Sequence, residues 1–215
     1  MTPPRLRVTE IFHSLQGETS RVGLPTVFVR LTGCPLRCVW CDTEYAFYGG
    51  TLMTIPEILE AVGGYGTRRA CVTGGEPLAQ KACLALLTAL CDAGYEVSLE
   101  TSGALDVSAV DPRVAKVMDL KAPGSGEEAK NRWENLAHLT PRDELKIVLA
   151  DEADYQWAKR VVAERRLADL CPVLFSPVYG RLDPARLAEW ILRDRIPVRL
   201  QIQLHKLLWG EAPGH

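Results

Sequence analysis

Short apolar runs rich in β-branched residues recur along this chain between longer stretches of helical period, and that alternation most narrows the folds open to it. The runs are Val27–Leu31, Ala70–Thr73, Glu96–Glu100, Ala115–Leu120, Glu144–Leu149, Pro172–Phe175 and Val198–Ile202. Between them, Thr54 and Glu57 have capping-box spacing with Pro56 in the first turn, which predicts a helix through about Val62. Further helices are predicted over Lys81–Ala93 with Gly94 as its stop, near Glu127–Leu136, over Glu152–Leu167 and over Pro184–Arg193. Such a series implies an α/β fold whose parallel strands are joined by right-handed crossovers, with the strand ends, and hence the site, on one face. Eight full units take about 250 residues, and this chain has 215. The expectation is therefore an open, partial TIM-like barrel of about six parallel strands, forming a single domain over residues 1–215. No internal repeat or low-complexity tract divides the chain, and Gly124–Gly126 is too short to act as a linker.

The formal net charge of −2 offers no positive field for gripping a phosphate backbone, so direct nucleic-acid binding is not expected. No apolar run approaches the roughly 20 residues of a membrane span, and Met1–Arg7 lacks the apolar core of a secretory signal, so a cytoplasmic protein is expected. Seven cysteines, three of them within eight residues, do not suit a disulfide framework and favour metal or thiolate chemistry.

Those three stand in Cys34-Pro-Leu-Arg-Cys38-Val-Trp-Cys41, inside a Gly-, Pro- and Cys-rich loop that follows an early strand and reaches about Gly50. Thiolates suit zinc or iron–sulfur clusters, and a [4Fe–4S] cluster needs one ligand per iron. Three cysteines would leave one iron free for a small molecule, which points to chemistry at the cluster. The alternative is a zinc-stabilised binding module whose site is completed by His13 or a distant cysteine, although no second ligand knuckle is present. One βα unit later, Thr73-Gly74-Gly75-Glu76-Pro77 follows a strand. Its glycines allow a ligand to approach the backbone, and Glu76 can shape the turn or accept from an ammonium.

The cysteine spacing, with Trp40 before the last thiol, resembles the CxxxCxxC signature of the radical S-adenosylmethionine superfamily, and residues 74–76 resemble its GGE motif. The resemblance implies that S-adenosylmethionine chelates the free iron and is cleaved to a 5′-deoxyadenosyl radical, so no protein side chain is expected to be catalytic in its own right. Around the signature, Ser14-Leu15-Gln16-Gly17-Glu18, Phe28–Cys34 and Cys41-Asp42-Thr43 resemble the 7-carboxy-7-deazaguanine synthase family. So do Asp119–Gly126, Asp143–Lys146 and Gln203–Lys206, which makes the resemblance nearly end to end.

That resemblance implies a lyase that contracts 6-carboxy-5,6,7,8-tetrahydropterin to 7-carboxy-7-deazaguanine with release of ammonia, toward queuosine and related deazapurines. It implies cluster ligation by Cys34, Cys38 and Cys41, and a magnesium ion at Thr43 near the substrate carboxylate. Trp40, Cys41, Asp42, Gly75, Asp119, Leu120 and Lys121 would bind S-adenosylmethionine, and Leu15, Gln16, Gly17, Arg30 and Thr73 the pterin. A flavodoxin-like reductant and a homodimer are further expectations from the family. Thr101 and Ser102 are pocket candidates by their place after a strand. His205 and Lys206 are placed at a late strand end, where relatives bring their C-terminus near the substrate, but this chain runs on through Leu207-Leu208-Trp209-Gly210 to His215. Cys71, Cys83, Cys91 and Cys171 are assigned to packing. A glycyl-radical activating enzyme would share the size, cysteines and cofactor, without needing the Gln16–Glu18 and Asp42-Thr43 context.

Overall fold

Alternation of side chains along each strand explains the architecture. In the computed structural model, which describes residues 4–210, Val27, Val29 and Leu31 of one strand face outward onto helices while Phe28 and Arg30 face the opposite way. The strands β1 (Arg5–Leu15), β2 (Pro25–Leu31), β3 (Thr51–Thr54), β4 (Arg69–Gly74), β5 (Glu96–Thr101), β6 (Ala115–Lys121), β7 (Glu144–Leu149), β8 (Val173–Pro177) and β9 (Arg199–Leu200) form one nine-stranded sheet. Its order is β3-β1-β2-β4-β5-β6-β7-β8-β9, and it does not close. From β2 to β9 every neighbouring pair is parallel, whereas β1 pairs antiparallel with both β2 and β3.

Two apolar cores lie on the outer face. Helices α1 (Ile55–Gly63) and α2 (Cys83–Asp92) pack on β1, β2, β4 and β5 through Ile58, Val62, Leu86, Leu87 and Leu90. Helices α3 (Glu152–Glu164) and α4 (Pro184–Asp194) pack on β6, β7 and β8 through Tyr155, Trp157, Leu187 and Trp190. Each fully buried aliphatic side chain contributes roughly 1.5–3 kcal/mol of transfer free energy.

The parallel αβ body follows the expectation, and Thr54 caps α1 with the reciprocal bonds of a capping box. Four differences have physical causes. The long strand β1 was not anticipated, because a bulge between Val8 and Glu10 shifts its period: Leu6 and Val8 face the core, then Ile11 does, and Phe12 turns to the inner face. The short edge strand β3 was likewise unforeseen. The helix expected near Glu127–Leu136 is instead two 3-10 segments, Glu128–Lys130 and Trp133–His138. There the side chain of Asn131 bonds both backbone groups of Lys121, and Asn135 donates to the carbonyls of Gly103 and Leu105, which diverts this segment from a continuous helix. Finally, only Arg199 and Leu200 of the run Val198–Ile202 form a strand, and His205 and Lys206 lie in a terminal helix, α5 (Leu204–Trp209), not at a strand end. No helix among the described residues is long and apolar enough to cross a membrane.

Candidate active site

The inner face of the sheet carries charge where a buried parallel strand ordinarily carries aliphatic residues. Arg30, Thr73, Glu100, Asp119, Lys121 and Lys146, from β2, β4, β5, β6 and β7, line one cleft of about 770 Å³ at the C-terminal ends of the strands. Residues 16–21 descend inside this face. Gln16 donates to Glu100 (3.2 Å), Glu18 pairs with Lys146 (2.5 Å), Ser20 donates its backbone N–H to Glu144 (3.0 Å), and Arg21 reaches Glu96 (3.4 Å) at the start of β5. A smaller hollow of about 370 Å³ at the other end of the strands has Arg21 and Arg113 already paired with Glu96, Glu144, Asp92 and Asp111.

One wall of the cleft is the loop between β2 and β3. Buried Leu36 anchors it, Arg37 donates to the carbonyls of Cys34 and Leu36 (2.8 and 2.6 Å), and the backbone of Val39 bonds Ser125 O (3.0 Å). Cys34, Cys38 and Cys41 are half-buried and all line the cleft. Burial pushes the three thiols up, and nearby Lys121 partly offsets this.

The Gly-Gly-Glu turn docks directly on that loop. Glu76 N–H donates to Gly33 O (2.8 Å), and a Cβ on Gly75 would come within 2.4 Å of Gly33 O and 2.7 Å of Cys34 Cβ. Glu76 itself is fully buried. Its carboxylate accepts from Leu78 N (2.9 Å), Thr101 Oγ1 (2.9 Å), Ser102 N (2.7 Å) and Ser102 Oγ (2.5 Å), so it shapes the turn instead of facing a ligand. Thr101 and Ser102 are thus its partners as well as cleft residues.

Of the residues assigned to S-adenosylmethionine, Trp40, Cys41, Asp42, Gly75, Asp119 and Lys121 line the cleft. Leu120 does not: its side chain is buried in the outer core against the helices, leaving only its backbone near the site. Asp119 Oδ2 pairs with Lys121 (3.2 Å) and Lys146 (3.6 Å), while Oδ1 is buried without a hydrogen-bond partner among the described residues. That open acceptor suits a ligand donor such as an ammonium or a ribose hydroxyl. Three thiols, a glycine turn and an orphan carboxylate oxygen in one cleft fit a cluster with a bound amino-acid nucleoside.

The residues assigned to the pterin also share this cleft: Leu15, Gln16, Gly17, Arg30 and Thr73. Glu100, which the sequence reading passed over, joins two of them by accepting from Gln16 Nε2 and Thr73 Oγ1 (3.0 Å). Arg30 donates Nε to Glu10 (2.7 Å), which also accepts from Tyr45 (2.8 Å). Phe12 and Phe28 stack at 5.0 Å on the cleft wall, with the Arg30 guanidinium 5.5 Å from the Phe12 ring. Thr43 lines the cleft and donates to Asp42 (2.8 Å). Burial would raise the Asp42 carboxyl, but Lys206 and this hydroxyl hold it at about 2. Also unforeseen were Glu18, Lys146, Val178, Tyr179, Arg181 and Gln203 in the cleft. The signal for Glu100 and Lys146 was their inward parity on β5 and β7. Val178 to Arg181 had none beyond following a strand. His13, the alternative zinc ligand, is exposed beside Tyr65, away from the cleft lining.

A profile described as the Radical SAM superfamily matches residues 28–121. A 7-carboxy-7-deazaguanine synthase from Chlorobaculum tepidum is 51% identical over 212 residues, covering 97% of this chain and 96% of the relative. The chain belongs to the 7-carboxy-7-deazaguanine synthase family. A second synthase of this family, from Koribacter versatilis, is 42% identical, with 95% and 97% of the two chains covered. In fold, the crystal structure of QueE from Escherichia coli superposes with a TM-score of 0.76 at 24% identity, over 94% of this chain and 95% of that one. That structure shares the open, mostly parallel sheet described above.

Proposed function

We propose that the chain converts 6-carboxy-5,6,7,8-tetrahydropterin to 7-carboxy-7-deazaguanine with release of ammonia, a step toward queuosine and related deazapurines. The observation that carries this reading is the single cleft in which the three-cysteine loop faces Gln16, Arg30, Thr73 and Glu100, in a chain 51% identical to a synthase of that name.

Cys34, Cys38 and Cys41 would hold a [4Fe–4S] cluster, and Trp40, Asp42, Gly75, Asp119 and Lys121, with the backbone of Leu120, would bind S-adenosylmethionine. These groups supply the radical chemistry when bound. The protein's own part is binding, orientation and exclusion of water. Arg30, with its Nε fixed on Glu10, keeps its terminal nitrogens to meet the substrate carboxylate. Glu100 and Gln16 match the donors and acceptors of a pterin edge, and the Phe12–Phe28 pair offers its rings a flat apolar wall. Thr43 would give one hard oxygen to magnesium, the rest coming from substrate and water.

A flavodoxin-like protein is the proposed electron donor, and a cytoplasmic homodimer the proposed form. The unbroken sheet from β3 to β9 supports one domain. The test is anaerobic incubation of reconstituted protein with the carboxylated pterin, S-adenosylmethionine, magnesium and dithionite. The deazaguanine acid is expected. Stoichiometric zinc with no iron uptake, or no product from iron-loaded protein, overturns the reading.

A further inference from the structure

The last described segment, Gln201–Gly210, lies across the cleft as a strap joining two loops that the sheet holds apart. On one side, Leu204 N–H donates to Gly17 O (2.9 Å) and Gln203 Nε2 donates to Glu18 Oε1 (2.8 Å), both in the loop assigned to the pterin. On the other, Lys206 Nζ pairs with Asp42 Oδ2 (3.3 Å), next to cluster ligand Cys41, and Gln203 Nε2 also reaches Asp42 (3.5 Å). Between these anchors the His205 ring presses on Gly17 so closely that a Cβ there would stand 2.1 Å from its Nδ1. Lys206 also lies 5.4 Å from the centre of the Tyr179 ring, a third wall of the cleft. The Lys206 side chain is only 11% exposed despite its place in a terminal helix, so its charge is committed to this contact.

We propose that Gln203 and Lys206 are positioning residues, which fix the pterin loop at Glu18 against the cluster loop at Asp42 and so set the distance over which hydrogen is transferred. This rests on the ring-contraction reading above. In that reaction the substrate hydrogen passes to the deoxyadenosyl carbon and is later returned, so the cofactor is regenerated. A loosened loop carries the pterin carbon away, while Asp42, still held by the Thr43 hydroxyl, and the other cofactor-binding groups stay in place. Reductive cleavage then ends in 5′-deoxyadenosine and methionine, with dithionite supplying the electrons and solvent the proton, and no product forms. Because rates of this kind change about a hundredfold for a misplacement near 1 Å, the effect should be large.

The experiment measures deazaguanine acid and 5′-deoxyadenosine together in full-length reconstituted protein, at saturating pterin, for Lys206→Met, Gln203→Leu and the conservative Lys206→Arg. Leu207→Ser, on the exposed side of α5, serves as control. The expected result is a rise of about tenfold or more in deoxyadenosine per product for the first two variants at unchanged iron content, with Lys206→Arg and Leu207→Ser near the unsubstituted ratio. Product and deoxyadenosine falling in step, an unchanged ratio, or loss of iron uptake in both variants overturns the proposal. Failure of the unsubstituted protein to make any deazaguanine acid overturns the functional reading instead.

Discussion

Gly75 and Glu76 bind the Gly-Gly-Glu turn to the three-cysteine loop by opposite means, one by lacking a side chain and the other by burying a charged one. A methyl group on Gly75 would overlap Gly33 O and Cys34 Cβ, neither of which can swing away as the end of a flexible chain could. Gly75→Ala is therefore expected to displace Cys34, the first of the three proposed cluster ligands, and cut iron per chain to about half or less, with the far-ultraviolet spectrum unchanged. An iron assay beside circular dichroism checks both parts. Glu76→Gln keeps the shape but loses the charge and sets an amide NH2 against the donors of Ser102 and Leu78. The expected cost is about 2 kcal/mol, read from urea unfolding. Both glycines and Glu76 were legible in the sequence as a ligand turn, and shaping that turn was one of the two roles open to Glu76, but the choice between them was not legible. Whether a carboxylate accepts from a ligand or from its own fold depends on Thr101 and Ser102 arriving beside it, which no local pattern near residue 76 records.

Among the α-helices, α5 alone of those described has no buried residue, and it docks through charged and polar contacts. Burial opposes ionisation of Asp42, yet Lys206 and Thr43 hold its carboxyl at about 2, below its ordinary 3.8. Burial likewise opposes ionisation of Glu18, but Lys146 and Gln203 bring it below its ordinary value. A depressed carboxyl contributes stability that is complete above its unfolded value and lost as pH falls through the folded one. The strap should therefore stay docked from about pH 5 to 8 and release as pH falls toward about 2. Amide exchange over residues 203–210, corrected for intrinsic rates, should show protection at the higher pH values and its loss near the lower bound. The strap also marks where reading by element failed. Val198–Ile202 was expected to be a strand with His205 and Lys206 at its end, because its apolar spacing suits one, but the sheet edge at β9 pairs over only two residues and the chain turns back to the cleft. The strand β1 was hidden for a comparable reason, since a bulge breaks the alternation by which a strand is recognised. The central strands, with unbroken alternation and firm helix caps, were legible nearly to the residue.

At the scale of the whole molecule, the sheet separates two helix-packed apolar cores from an inner face of matched charges, and Lys146 is the centre of that face. Its ammonium meets Glu18 at 2.5 Å and Asp119 at 3.6 Å, so one cation serves the loop of residues 16–21 and the β6 wall together. Removing it strands the buried carboxylate of Glu18, while Asp119 keeps Lys121 at 3.2 Å, whereas removing Glu18 with it leaves no charge uncompensated there. Lys146→Met is accordingly expected to cost about 3–5 kcal/mol near neutral pH. Lys146→Met combined with Glu18→Leu should recover a substantial part of that loss, because the two positions share one contact and cannot act additively. The sign with pH follows from the same pair. Without the ammonium, Glu18 loses the partner that outweighs its burial, and its carboxyl rises above the ordinary range. The Lys146→Met penalty should then shrink as pH is lowered toward about 5, where the stranded acid takes up a proton, while the unsubstituted protein changes little over that interval. Urea unfolding of the three proteins at both pH values separates the cases. A penalty that ignores pH and survives the second substitution would mean that Lys146 stabilises the sheet through the packing of its aliphatic stem, and not through the charge it holds between the two walls of the cleft.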